Sequence, residues 1–425
     1  VDGQCYGCCP MTSQTYVHDL HLLGLGGSNK VMAGELSRLT RRALDGERSK
    51  ELLRTAPRKS GPGGLIYPFA PDLAAVAVSY HRTSARVLWD LHSSEQVRLE
   101  PLFDELVEGI AADEREWLVA GARFSVLAFG VDSIEAGERQ VVGVVKNALI
   151  EGAARRGLTW KVDGESPDFT FHARCHQDAE GKRRLVLSLD LAGRPMHRRG
   201  YRTQSGEAPL REDLAANLVM LSRFDARSDV FIDPMAGAGT LAVEAALMAA
   251  GKPVWMSGRK VDALGLPSIA AHLNELGKPL FADSAPSIFA GEIDEDVYGL
   301  LDRSVDTAGV SSQTTTYCGD FFDWDLKSQI KEQKSGLILS NPPYGARLGG
   351  NLQELRRLYQ DLGEWCAQFP GFRAGFIVGE PESDSEKREG PSLVHTFQQN
   401  FGGRPRVKKP MKNGPLNAYF LLYDL

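Results

Sequence analysis

The sequence lacks any apolar run long enough to cross a bilayer, which argues against a helical membrane protein, and no secretory h-region opens it. Its first residue is Val1, which leaves open whether further sequence precedes it. Positive charge is not in excess: 49 Lys and Arg against 55 Asp and Glu give a net charge of −6. Any contact with a polyanion must therefore come from local basic tracts. Cysteine is scarce, with six in all: Cys5, Cys8 and Cys9 crowd the start, while Cys175, Cys318 and Cys366 are scattered. That is no disulfide framework and fits a reducing compartment, the cytoplasm or, in a eukaryote, an organelle. Cys5, Cys8 and Cys9, with His18 and His21 nearby, resemble half a zinc site. A second cysteine pair at ligand spacing is missing, so no metal is expected. There is also no low-complexity block and no repeat with a period of about 20–50 residues.

What is present suits roughly two or three globular domains: 425 residues, 42% hydrophobic and 24% charged. Residues 23–36 read as a glycine-containing turn before a helix, and 37–53 as helical in propensity and rich in charge. Pro57, Gly61, Pro62, Gly63 and Gly64 read as a loop or boundary. Residues 72–91 start at helical spacing and turn strand-like near Val87–Leu91. Residues 123–132 form an apolar strand. Residues 138–157 form an amphipathic helix with Val141, Val145, Ala148 and Leu149 on one face, stopped by Gly157. Phe169, Phe171, Ala173 and Cys175, then Leu185, Leu187, Leu189 and Leu191, recur with period two, which predicts half-buried strands of a mixed sheet.

From about Ser228 the pattern becomes strand–helix alternation. Strands at 230–235 and 287–294 are followed by helices at 241–251 and 297–309, and further strands lie at 314–320, 336–343, 372–380 and 417–425. This predicts parallel crossovers and an α/β doubly wound sheet, interrupted by an insertion at 252–286. Two basic tracts stand out. One holds Arg194, Arg198, Arg199 and Arg202; the other holds Arg404, Arg406, Lys408, Lys409 and Lys412. Each also reads as a solvated face.

Three motifs carry chemistry. Asp233 to Thr240 (DPMAGAGT) joins a strand to a helix. Gly237 and Gly239 allow a tight turn and close approach by a ligand, and the helix N-terminus offers N–H groups to an anion. Glu292, in AGEID at a strand end, can accept from both hydroxyls of a ribose, with Asp294 as competitor. Asp320 ends the next strand and can accept from an adenine amine. Phe321 beside it can pack on that ring or in the core. Asn341-Pro342-Pro343-Tyr344 ends a later strand. Its prolines turn carbonyls out of the ladder. The Asn341 side chain and the Pro342 carbonyl can then accept the two N–H bonds of an exocyclic base amine and aim its lone pair at a methyl donor, while Tyr344 stacks on the base.

In this order, DPMAGAGT, AGEID, GDFFDWD and SNPPYGARL resemble the class I methyltransferases that use S-adenosylmethionine to methylate amines. With RRGYRTQSGEAPLREDLAANLV upstream and KNGPL at 412–416, the chain is similar to the bacterial 23S ribosomal RNA guanine-N2 methyltransferase family from about residue 60 onward. The resemblance implies a divergent segment at 1–60, the end of a ferredoxin-like subdomain at 61–95, a THUMP-like RNA-binding domain at 96–203 and a Rossmann-like catalytic domain at 204–425. It further implies that Asp233, Ala236, Gly237, Gly239 and Thr240 line the methionine part of S-adenosylmethionine, that Glu292 or Asp294 holds the ribose and that Asp320 holds the adenine. Asn341, Pro342, Pro343 and Tyr344 would receive a flipped guanine. Arg194, Arg198, Arg199, Arg202 and Arg347 would meet RNA. The partner implied is RNA, ribosomal first. The alternatives are a transfer RNA guanine-N2 enzyme, an adenine-N6 DNA enzyme and a non-catalytic RNA-binding assembly factor.

Overall fold

The computed structural model describes residues 16–177, 182–202, 210–254, 261–281, 286–330, 333–343, 352–380, 392–413 and 416–425. The first part holds β1 (Tyr16–Gly24), α1 (Asn29–Ala43), α2 (Gly46–Leu53), β2 (Arg58–Gly61), β3 (Gly64–Pro68), α3 (Pro71–Tyr80), β4 (Ser84–Ser94), α4 (Leu99–Ala112), β5 (Arg123–Phe129), α5 (Glu138–Arg155), β6 (Lys161–Val162), β7 (Phe169–Gln177) and β8 (Arg183–Asp190). All eight strands form one mixed sheet in the order β2-β3-β1-β4-β8-β7-β5-β6. Strands from both sides of residues 60 and 95 therefore share one sheet.

The glycine-rich stretch near residue 60 is an edge hairpin, not a loop: β2 pairs antiparallel with β3. It packs so closely on the end of β1 that a side chain at Gly63 would stand 2.5 Å from the Gly24 carbonyl. Residues 37–53 are two helices, because the Asp45 carboxylate accepts from the N–H groups of Glu47 and Arg48 and starts α2 afresh. β8 is buried on both faces rather than half-buried as its alternation predicts. On the second face its polar groups satisfy one another: Asp90 accepts from Ser188 Oγ (2.6 Å) and Arg174 (3.0 Å) and lies 2.9 Å from His21 Nδ1. Burial alone would raise the Asp90 carboxyl, but His21 and Arg174 outweigh it and hold it below its usual range.

The second part holds α6 (Glu212–Leu221), β9 (Val230–Asp233), α7 (Thr240–Ala250), α8 (Pro267–Glu275), β10 (Ile288–Glu292), α9 (Glu295–Thr307), β11 (Thr314–Cys318), α10 (Leu326–Gln329), β12 (Gly336–Ser340), α11 (Leu352–Cys366), β13 (Arg373–Glu380), α12 (Leu393–Phe401), β14 (Val407–Asn413) and β15 (Leu416–Asp424). Its sheet runs β11-β10-β9-β12-β13-β15-β14. The first five are parallel, while β15 is antiparallel to both neighbours. This is the doubly wound α/β sheet that the strand–helix alternation predicts. The alternation missed β14, whose lysines mark it as a sheet edge.

The two parts are tightly joined. α7 is apolar nearly all round and every one of its residues is buried. Its single charge, Glu244, pairs with Arg82 (3.1 Å) from the first part and Arg199 (3.3 Å) from the connection. The described residues of the 252–286 insertion pack into the core of the first sheet. Val261, Ala263, Leu266, Ile269 and Leu273 enter that sheet's core. The Ala263 N–H donates to the Leu191 carbonyl (3.0 Å), and the Tyr80 hydroxyl donates to the Leu276 carbonyl.

Candidate active site

Strands β9 and β12 are adjacent and parallel, with Ile232 opposite Ile338. From β9 the chain crosses to β10 on one side; from β12 it crosses to β13 on the other. The sheet therefore splits its connections at this pair, and a crevice opens beyond the carboxyl ends of the two strands. Asp233 ends β9 and Asn341 follows β12, so both motifs arrive at that crevice. A cleft of about 1130 Å³ occupies it, lined among others by Arg202, Asp233, Thr240, Glu292, Asp320 and Asn341.

Asp233 is 1% exposed. Its Oδ1 accepts from Ser340 Oγ (2.6 Å), which ties the ends of β9 and β12 together, and from the Met235 N–H (3.3 Å). Its Oδ2 has no partner among the described residues. Burial pushes this carboxyl up to about 7; the charge of Glu292 adds to the effect, and the bonds from Ser340 and Met235 oppose it. The chain then turns through Gly237 (φ 55°) and Gly239 (φ 84°). A side chain at Gly239 would also stand 2.6 Å from Leu301 Cδ1, so both backbone angle and space demand glycine there. α7 begins at once, aiming its unpaired N–H groups at the cleft.

At the end of β10, Glu292 accepts from three backbone N–H groups: Gly237 (2.9 Å), Ile293 (3.0 Å) and Asp294 (3.1 Å). Its carboxylate thus braces the glycine turn from the end of the neighbouring strand. Asp294 lines the cleft too, but its side chain caps α9 through the N–H groups of Asp296 and Val297. Asp320 accepts from the Phe322 N–H (3.0 Å). Phe321 packs in the core, edge-on to Trp365 at 5.3 Å, and also lines the cleft. Asn341 Oδ1 is buried without a partner among the described residues. Pro342 is buried, and the carbonyl of Pro343 accepts from the Tyr359 hydroxyl on α11 at 3.4 Å.

Of the sequence-derived residues, Asp233, Ala236, Gly237, Thr240, Glu292, Asp294, Asp320, Asn341 and Pro343 all line this cleft. Tyr344 and Arg347 lie outside the described residues, as do Cys5, Cys8 and Cys9. The basic tract at 194–202 is not one surface. Arg194 and Arg198 are exposed. Arg199 is buried against Glu244 and donates to the Met196 and Arg82 carbonyls, so its placement as an RNA contact is overturned: a guanidinium enclosed by protein cannot reach a phosphate. Arg202 turns inward to the cleft. The later tract is split across an edge strand, where Lys409 donates to the Gly27 carbonyl and Lys408 to Gln398. His18 accepts from the Trp89 indole N–H, and His21 bonds Asp90 and Ser60.

Sequence reasoning missed two apolar side chains that protrude into the cleft, Ile293 (66% exposed) and Phe322 (44% exposed). Each follows a motif acid or lies two residues beyond one, which is the signal that could have found them. It also missed the α11 wall of Glu354, Arg357, Leu358 and Asp361. Their spacing of three, four and seven residues was readable as one helix face opposite the buried Leu355, Tyr359 and Leu362.

Residues 199–382 match the family described as RMKL-like, methyltransferase domain. A curated relative from Marinobacter nauticus, ribosomal RNA large subunit methyltransferase K/L, is 31% identical over 343 residues, covering 76% of this chain and 43% of its own length. The chain thus spans about half the length, or less, of the curated relatives it matches. Among solved structures, SMU.472 complexed with SAH aligns with a TM-score of 0.73 at 20% identity, covering 97% of this chain and 99% of that one. A predicted N6-adenine-specific DNA methylase from Listeria monocytogenes aligns with a TM-score of 0.71 at 21% identity, covering 96% of each chain. At these identities the likeness establishes the shared fold over nearly the whole chain.

Proposed function

We propose that this chain, carrying an RMKL-like methyltransferase domain, transfers a methyl group from S-adenosylmethionine to the N2 amine of a guanine in structured RNA, ribosomal RNA of the large subunit first. The observation that carries the reading is Asn341 Oδ1: a buried acceptor without a partner among the described residues, in a cleft also lined by the Asp233–Thr240 turn. A buried amide oxygen left unpaired costs on the order of 1–3 kcal/mol, which a substrate N–H would recover.

The residues fit the cofactor. The N-terminus of α7 suits a carboxylate, Asp233 Oδ2, without a partner among the described residues, suits an ammonium, and Glu292 stands where two ribose hydroxyls can be accepted. Ile293 and Phe322 offer apolar surface for an adenine ring, with Asp320 beside them to accept its amine. S-adenosylmethionine, when bound, supplies a methyl group on a positively charged sulfur. The chain's own task is positioning. Asn341 Oδ1 and the Pro342 carbonyl accept the two N–H bonds of the amine. This holds its nitrogen in place and turns the lone pair toward the cleft floor. Tyr359, bonded to the Pro343 carbonyl, keeps the Asn341–Pro343 backbone from relaxing.

The test is transfer of labelled methyl from S-adenosylmethionine to unmodified ribosomal RNA and transfer RNA, followed by nucleoside analysis. N2-methylguanosine in ribosomal RNA is the expected product. N2-methylguanosine in transfer RNA alone keeps the chemistry and moves the substrate. N6-methyladenosine as sole product sinks the guanine reading, and no cofactor binding at all supports a non-catalytic role.

A further inference from the structure

Arg202 belongs to a tract that sequence reasoning assigned to RNA. The structure turns it the other way. Its Nη1 donates to the Leu210 carbonyl at 2.9 Å and lies 3.4 Å from Thr240 Oγ1, on the first residue of α7; its Nη2 lies 3.2 Å from Glu212 Oε1. The side chain is only 14% exposed, and it lines the same cleft as Asp233, Gly237 and Thr240. We infer that Arg202 holds the α-carboxylate of the amino-acid part of the cofactor, an inference that rests on the S-adenosylmethionine reading above.

Three features line the same cleft. The first is a guanidinium, whose planar fork matches a carboxylate and whose direction is already set by Leu210 and Glu212. The second is the N-terminus of α7, an 11-residue helix whose first N–H groups favour negative charge. The third is independent of both: Asp233 Oδ2, almost wholly buried and without a partner among the described residues, is an acceptor in the same cleft. A cation against the first residue of α7 and, in the same cleft, a carboxylate oxygen with no partner among the described residues complement a zwitterion with a carboxylate and an ammonium on one carbon. An RNA phosphate carries no ammonium and would leave Asp233 Oδ2 unmatched. Arg202 is also held against α6 and α7 at the inner wall, whereas Arg194 and Arg198 stay outside and exposed.

The experiment compares two ligands by titration calorimetry on the full chain. One is S-adenosylhomocysteine. The other is 5′-methylthioadenosine, which keeps adenosine and sulfur but lacks the amino-acid group. Arg202→Met is expected to weaken S-adenosylhomocysteine about 10- to 100-fold, the scale of one charge-assisted contact, and to leave methylthioadenosine unchanged. Arg202→Lys, which keeps the charge without the fork, is expected to recover part of the loss. Equal S-adenosylhomocysteine affinity in wild type and Arg202→Met overturns the inference, as does equal weakening of both ligands, the mark of a merely structural residue. Reduced salt dependence of RNA binding in Arg202→Met, with S-adenosylhomocysteine affinity intact, returns the residue to RNA. A wild type that binds neither ligand overturns the cofactor reading itself rather than the assignment of Arg202.

Discussion

Asp233 shows what a single buried carboxyl does to this molecule. Its folded value of about 7 lies above the ordinary 3.8, so the folded chain keeps a proton that the unfolded chain gives up. Stability from this group is therefore complete below about pH 4 and is lost as pH rises toward 7. Asn at this position keeps the acceptor for Ser340 and Met235 without the charge. Asp233→Asn should accordingly gain on wild type by up to about 1.4 kcal/mol per pH unit across that window. Urea unfolding of cofactor-free protein at pH 5 and pH 8 checks this; an offset identical at both would count against it. Cofactor binding should move the other way, since the Asn cannot pair with an ammonium as a carboxylate does. Asn341→Ala should abolish turnover and spare cofactor affinity, read by single-turnover rate and calorimetry. An unchanged rate would remove Asn341 from the chemistry.

At the scale of the element, the β9–α7 junction decides where a ligand can come close. Two left-handed glycines sit there with different surroundings. Gly239 has Leu301 where a side chain would go, while Gly237 has nothing within 4 Å. Gly239→Ala should therefore cost more than Gly237→Ala, about 1–3 kcal/mol against about 1 kcal/mol, in denaturant midpoints. Equal costs would mean that Leu301 moves aside freely. The same junction explains why Glu292 matters beyond any ligand contact: it bonds the Gly237 N–H from the neighbouring strand, so turn and strand end form one unit.

At the scale of the whole molecule, α7 is where the two sheets meet. Glu244 is buried between Arg82 and Arg199 and also accepts from the Tyr201 hydroxyl at 3.2 Å. Removing the carboxylate would strand two buried guanidinium groups. Glu244→Ala is expected to cost about 3–5 kcal/mol by equilibrium unfolding. A loss under about 1 kcal/mol would show that water enters and replaces it. Because α7 also carries the glycine turn at its start, this contact couples the placement of the first sheet to the shape of the cleft. The 252–286 insertion adds to the coupling by lending its apolar residues to the first sheet's core. Among the described residues, no helix is long and apolar enough to cross a membrane.

Much of this was legible in the chain alone. Strand–helix alternation after Ser228 predicted the doubly wound sheet, because parallel crossovers impose that periodicity on any sequence. The order of the glycine turn, the strand-end acids and Asn341-Pro-Pro placed the motif residues at strand ends, and strand ends of such a sheet must share one edge. What local pattern does not encode is which distant segment covers a given face. That is why a Gly-Pro run taken for a loop became an edge hairpin, and why β8 was buried on both sides by a polar cluster drawn from β1, β4 and β7. It is also why four arginines within nine residues parted company. Charge pattern sees one basic tract, but only tertiary packing brings Glu244 to Arg199 and Thr240 to Arg202 while Arg194 and Arg198 stay at the exposed surface.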